Sequence, residues 1–272
     1  MSNNNWPIVA LDAGHGLNTP GKRTPDGIHE WELNDKVRDY VVEYLEDYKV
    51  TFIFPDKNEG KTDESLTSRR TMYISADADV CVSLHHNAFK GVWGNATGVE
   101  VYADRNCTAA DKELANLIMS RLAKNTGLKN RGVKFENWTV INTNKVTAVL
   151  VEGGFMDNKK DYKVITSAKG QQAYAKAVAD ALIIFLNLEK KDAPKKTTNT
   201  AEKKTNFKVK FKEDMNVRVE AGAEHAIVDK CKKEFVYTIK KTKKVGKNKV
   251  LWGYLKSGAG WVCIDSKYCT RV

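Results

Sequence analysis

Cysteine is scarce and poorly spaced for cross-linking. The five cysteines, at 81, 107, 231, 263 and 269, are odd in number and contain no CxxC pair. They read as reduced residues of a cytosolic product and not as a disulfide framework. Long apolar runs are missing too. The longest, over residues 177–188, is interrupted by Asp180 and is too short to cross a bilayer, so membrane insertion is not expected. The opening Met1-Ser2-Asn3-Asn4-Asn5 has neither the basic nor the apolar region of a secretory leader. Without that route, the N-x-T sequons at Asn95, Asn106 and Asn137 are chance matches. No RNA- or DNA-binding motif is recognisable, so nucleic acid is not expected as a partner.

What is present is size and an uneven charge. A chain of 272 residues can hold one large domain and one small one. Its net charge of +11 is concentrated near one end: residues 207–272 carry 16 Lys and Arg against 7 Asp and Glu, whereas residues 1–188 carry 23 against 24. A basic C-terminal part beside a near-neutral remainder points to an acidic polymer as the target of that part.

Residues 189–206, EKKDAPKKTTNTAEKKTN, are polar, charged and almost free of large apolar side chains. They cannot form a core and predict a flexible linker between a domain over 1–188 and another over 207–272. The first domain alternates strand and helix patterns. Apolar runs at 50–54, 80–84, 99–102 and 147–151 alternate with helical periods at 33–45, after the capping-box sequence from Thr108, and from Ser167 onward. Alternation of this kind predicts an α/β fold with a largely parallel twisted sheet flanked by helices. After the linker come short β-rich runs at 207–211, 235–239, 250–254 and 261–264, separated by turn sequences, which predict a small all-β module. There the lysine-rich stretch 240–244 reads as a solvated hairpin tip, with direct ligand contact as the alternative, and Trp252, Tyr254 and Trp261 read as core.

Three of the strands of the first domain run directly into polar residues. The strand at 8–11 leads into DAGHG at 12–16, the strand at 80–84 into His85-His86-Asn87, and the strand at 148–151 into Glu152-Gly153-Gly154. Sites of α/β proteins gather at that end of a sheet, so His15, His85 and Glu152 are expected on one rim. Zinc hydrolases use three nitrogen or carboxylate ligands and keep a position open. His15 and His85 supply two. Glu30, at the head of the helix from residue 33, fits the third, with His29, Glu32 and His86 as competitors. A carboxylate away from the metal is then needed as base for the water and as proton donor to the leaving amine, and Glu152 stands where that is required.

These segments resemble the zinc-dependent N-acetylmuramoyl-L-alanine amidases of the amidase-3 type. The likeness rests on DAGHG at 12–16, GIHEWELN at 27–34, SLHHN at 83–87 and VLVEGGFMDN at 149–158, in order and together covering about residues 6–187. It implies that His15, Glu30 and His85 bind Zn2+ and that Glu152 is the catalytic carboxylate. In the family's S-x-H-x-N pattern the ligand is the histidine two before the asparagine, here His85. Leu66-Thr-Ser-Arg69 matches a further family pattern, and Arg69 reads equally as a substrate contact or a structural ion pair. Leu17 departs from the usual second glycine after GHG. The C-terminal module resembles a bacterial SH3-type wall-binding domain through MNVRVEAGA at 215–223 and WGYLKSGAGWV at 252–262, which implies a small SH3-like barrel.

The resemblance implies a peptidoglycan hydrolase that cuts between N-acetylmuramic acid and the L-alanine of the stem peptide, with Gram-positive cell wall polymers as partner. Lack of an export signal favours a phage or prophage endolysin, held in the host cytoplasm until a holin opens the membrane. The alternatives are a bacterial autolysin or sporulation mother-cell amidase and, in another class, a non-catalytic wall-binding protein.

Overall fold

The computed structural model describes residues 6–56, 60–191, 202–223, 225–246 and 249–272. The chain divides into two compact units, Met1–Lys191 and Asp192–Val272.

The first unit runs β1 (Ile8–Ala13), α1 (Glu30–Tyr44), β2 (Thr51–Ile53), α2 (Leu66–Ser75), β3 (Val80–Asn87), β4 (Val99–Ala103), α3 (Ala109–Thr126), β5 (Asn130–Phe135), β6 (Thr147–Phe155), α4 (Lys159–Ile165) and α5 (Ala168–Phe185). Its six strands are ordered β2-β1-β3-β6-β4-β5. Neighbours are parallel except β4 against β6, so the sheet is largely parallel with one reversal. That reversal lets the chain re-enter the sheet beside β6 from the rim where β3 ends.

Alternation along the strands decides which layer each side chain joins. Val80, Val82 and Leu84 of β3 and Val149 and Val151 of β6 face a core closed by Val37 and Val41 of α1, Ile118 and Leu122 of α3, and Val178 and Leu182 of α5. Cys81, Ala148 and Leu150 face the other way, against Tyr73 of α2 and Val140 and Ile141. By the same alternation His85 and Glu152 lie on the α2 side. Helix α3 starts where the sequence signals it: Thr108 Oγ1 accepts Asp111 N–H at 3.2 Å, and Asp111 Oδ2 accepts Thr108 N–H at 2.7 Å, a reciprocal cap. Elements α2, α4 and β5 were not expected from the sequence. Strand β5 reads NRGVKF and is half exposed, so it lacks the apolar run that marks a buried strand.

The second unit consists of β7 (Lys203–Phe211), β8 (Met215–Arg218), β9 (Ile227–Cys231), β10 (Val236–Val245), β11 (Val250–Leu255), β12 (Trp261–Cys263) and β13 (Cys269–Arg271). They form one antiparallel sheet in the order β13-β7-β10-β11-β12-β8-β9. Val209, Phe211, Val217, Ile239, Leu255 and Val262 form its main core, and Trp252 and Trp261 are buried in a second cluster with Ala221 and Cys263. The lysine-rich stretch 240–244 is not a hairpin tip. It lies within β10, paired with β11, and the turn follows at Gly246.

Of the expected linker, residues 192–201 lie outside the described residues. At its start the chain stays bound to the first unit: Lys49 N–H donates to Glu189 O, and Lys191 N–H to Asp47 O, each at 2.8 Å. At its end Lys203 and Lys204 already pair with β10. Among the described residues no helix is long and apolar enough to cross a membrane.

Candidate metal centre and active site

The DAGHG segment is built around close approaches. Gly14 donates its N–H to Leu84 O at 3.0 Å, and its carbonyl accepts from Asn34 Nδ2 at 3.1 Å. A Cβ at Gly14 would stand 2.0 Å from Cε1 of His85, so only glycine lets the two strand ends share the rim. His15 then adopts φ +64°, a left-handed conformation uncommon for a residue with a side chain. Arg69 of α2 holds it there: Nη2 donates to His15 O at 2.8 Å and Nη1 to Ala13 O at 3.0 Å, while the same guanidinium pairs with Asp12 and Asp63. Arg69 is 1 % exposed. Of its two sequence readings, the structure supports the ion pair.

Glu30 is the first residue of α1 and is fully enclosed. Its Oε1 lies 3.0 Å from His85 Nδ1 and accepts His86 N–H at 3.2 Å, and its Oε2 lies 3.4 Å from His15 Nε2. His15, Glu30 and His85 each offer a ligand atom, and these atoms lie within 4.8 Å of one another. Among the described residues, Glu30 Oε2 has no hydrogen-bond partner, so this buried carboxylate oxygen lacks a donor, with His15 Nε2 standing 3.4 Å away.

Two of the three competing residues, His86 and Glu32, are engaged elsewhere. His86 lies on the opposite face of β3, with Nδ1 2.8 Å from Asn34 Oδ1 and its ring edge-on to Tyr174. Glu32 is exposed and accepts His29 N–H at 3.0 Å at the head of α1.

Glu152 sits on β6 directly opposite His85 on β3. Its Oε2 is shut off from solvent and has no hydrogen-bond partner among the described residues. Burial raises its pKa to about 8; the nearby Glu30 charge adds to this and His85 works against it. Burial likewise lowers His15 to about 4, against the pull of Glu30. Burial acts against the charged forms of both Glu30 and His85, but their mutual hydrogen bond and attraction outweigh it, so Glu30 is held low and His85 high. One carboxylate in the site is therefore kept ionised and the other kept basic.

The row extends beyond the residues found by sequence. Glu100 on β4 is the cross-strand partner of Glu152, and its carboxylate accepts from Asn87 Nδ2 at 3.2 Å and from Tyr102 Oη, Arg131 Nε and Lys134 Nζ. A glutamate inside the apolar run V-E-V-Y was the only sequence signal for it.

Comparison with known proteins agrees with this geometry. Residues 9–183 match the family described as N-acetylmuramoyl-L-alanine amidase, Amidase_3. The chain is 31 % identical to the endolysin of Bacillus phage SPP1 over 271 residues, covering 97 % of each chain. It is 32 % identical to the N-acetylmuramoyl-L-alanine amidase LytC of Bacillus subtilis over 178 residues, which are 65 % of this chain and 35 % of that one. Among solved structures, the catalytic domain of the amidase CwlV from Bacillus (Paenibacillus) polymyxa superposes with a TM-score of 0.61 at 27 % identity, covering 67 % of this chain and 99 % of that one. An N-acetylmuramoyl-L-alanine amidase from Clostridium difficile 630 gives 0.62 at 26 % identity, covering 67 % and 98 %.

Proposed function

This chain belongs to the N-acetylmuramoyl-L-alanine amidase family and is a peptidoglycan amidase, and from that premise we propose that it is a zinc enzyme whose Glu152 moves the proton. The bond cut is the amide between the lactyl group of N-acetylmuramic acid and the L-alanine of the stem peptide. The observation that carries the zinc reading is the convergence of His15, Glu30 and His85, with one buried Glu30 oxygen lacking a hydrogen-bond donor among the described residues. Two imidazoles and one carboxylate are a donor set of catalytic zinc, with a further position left open.

Zinc held there supplies Lewis acidity to the scissile carbonyl and to the attacking water. Glu30 orients His85 and the backbone of His86 orients Glu30 in turn, while Arg69 holds His15 by its carbonyl. Glu152 takes a proton from the water as its oxygen adds to the carbonyl carbon. It then delivers that proton to the alanine nitrogen as the carbon–nitrogen bond breaks. The pKa of this buried carboxyl would fall from its metal-free position beside bound zinc, which suits a group that first accepts the proton and then gives it up.

The second unit is proposed to be an SH3-like module that holds the enzyme on anionic Gram-positive wall polymers through its basic charge, raising the local enzyme concentration at the substrate. Similarity along nearly the whole length of a phage endolysin favours that role over an autolysin, with the protein kept in the host cytoplasm until a holin releases it to the wall. Mass spectrometry of digested walls tests the reaction. New L-alanine amino termini on an intact glycan are expected; cuts in the glycan or inside the stem peptide instead would overturn it.

A further inference from the structure

The sheet order β1-β3-β6-β4-β5 lays the site out in a line. His15 follows β1, His85 lies on β3, Glu152 opposite it on β6, Glu100 opposite Glu152 on β4, and Arg131 and Lys134 on β5. Both of these cations reach the same oxygen, Glu100 Oε1. In a regular strand, residues three apart point to opposite faces. Here the register between β4 and β5 shifts between Val99 and Val101, and Gly132 at φ +86° takes the extra residue. The resulting bulge turns both cations to the catalytic face, a use of bulges common beside active sites.

Two positive charges on one carboxylate leave one in excess. The Glu100 side chain is 1 % exposed, whereas Arg131 and Lys134 are 31 % and 37 % exposed, so the anion is hidden and the cations face outward. We propose that Arg131 and Lys134 form a subsite for a free carboxylate of the stem peptide, with Glu100 as the positioning residue. The proposal rests on the amidase reading and names the side of the scissile bond that this edge serves. Glu152 protonates the departing nitrogen, so the leaving peptide lies on the Glu152 side of the metal ligands, where β4 and β5 continue the sheet. The charged ends of both cations meet Glu100 on β4, one strand spacing or about 5 Å from β6, and an extended peptide advances about 3.4 Å per residue. The carboxylate met there is that of the second stem residue, a glutamate linked through its side chain, whose α-carboxylate is free in some walls and amidated in others. A guanidinium and an ammonium bind a carboxylate through charge-assisted hydrogen bonds that a neutral amide does not reproduce.

The test uses the full zinc-loaded chain and two muramoyl dipeptides that differ only in a free carboxylate or a primary amide at the second residue. The wild-type protein is expected to favour the carboxylate by about tenfold to a hundredfold in kcat/KM, mostly through KM. The double substitution Arg131→Gln, Lys134→Gln should bring that ratio close to one, which loss of a purely structural ion pair would not do. Calorimetry on the wild-type protein with the released dipeptide, which needs no variant to fold, should show weaker binding of the amidated form. Equal use of both substrates by the wild-type protein, or a ratio that survives the double substitution, would overturn the subsite. Cleavage of neither substrate would instead overturn the amidase reading, and the subsite with it.

Discussion

The guanidinium of Arg69 grips the carbonyl of His15 at 2.8 Å, so α2 fixes a left-handed histidine at the end of β1. The same side chain pairs with the buried Asp12, and Ser83 Oγ on β3 donates to the other Asp12 oxygen at 2.7 Å. Geometry at the candidate metal centre therefore depends on an ion pair that includes none of His15, Glu30 and His85. Substituting Arg69→Met leaves Asp12 buried without its partner and is expected to cost about 3–5 kcal/mol. Arg69→Lys should recover little, because one ammonium cannot reach the acceptors that the guanidinium fork spans. Urea denaturation of both variants checks this, and a loss below about 1 kcal/mol would contradict it.

Glu152→Gln keeps the size of the side chain and removes the proton carrier. Hydrolysis of purified walls should fall by about a hundredfold to ten-thousandfold, with zinc content by elemental analysis unchanged. Retained lysis would remove Glu152 from its role.

The same substitution carries a stability signature. In the metal-free protein the folded pKa of Glu152 lies above its unfolded value, at about 8. Between the unfolded value and that pH the folded state binds more protons, so the contribution of Glu152 is favourable at acid pH and is lost as pH rises through the window. Glu152→Gln should therefore raise the melting temperature of the metal-free protein at pH 8 by at least about 2 °C and leave it unchanged near pH 4. A fall at pH 8 would mean that the carboxylate has a compensating partner in solution.

Metal removal offers a further check. A chelator should abolish wall lysis, and added zinc should restore it. His15→Ala or His85→Ala should lower zinc affinity far more than His86→Ala, since His86 faces Asn34 and Tyr174. Lysis that persists in chelator would sink the zinc reading.

Attachment to the wall is testable with the inactive Glu152→Gln protein. It should sediment with Gram-positive walls at low salt and be released as ionic strength rises, because screening shortens the reach of surface charge. Retention on DNA or heparin but not on walls would overturn the wall-binding proposal.

Much of this molecule could be read from the chain because the signals were local. His85 and Glu152 directly follow the apolar runs of β3 and β6, and His15 stands just beyond β1, so parallel strands bring all three to one rim. Glu30 was harder to separate from His29 and Glu32, since only the start of α1 decides which of them turns inward. Arg131 and Lys134 were not legible at all. Their strand is short and half exposed, and their common direction comes from a bulge whose register is set by pairing with β4.

The sequence by itself determined the alternation of strands and helices, the polar stretch between two regions of different pattern, and the ligand types at the strand ends, because these follow from periodicity and residue chemistry within a few positions. Tertiary structure alone decided that Glu30 Oε2 has no hydrogen-bond partner among the described residues, that burial lifts Glu152, and that Glu100 gathers two cations beside it. Those are properties of groups brought together from separate strands, where the loss of water and the nearness of other charges set the chemistry.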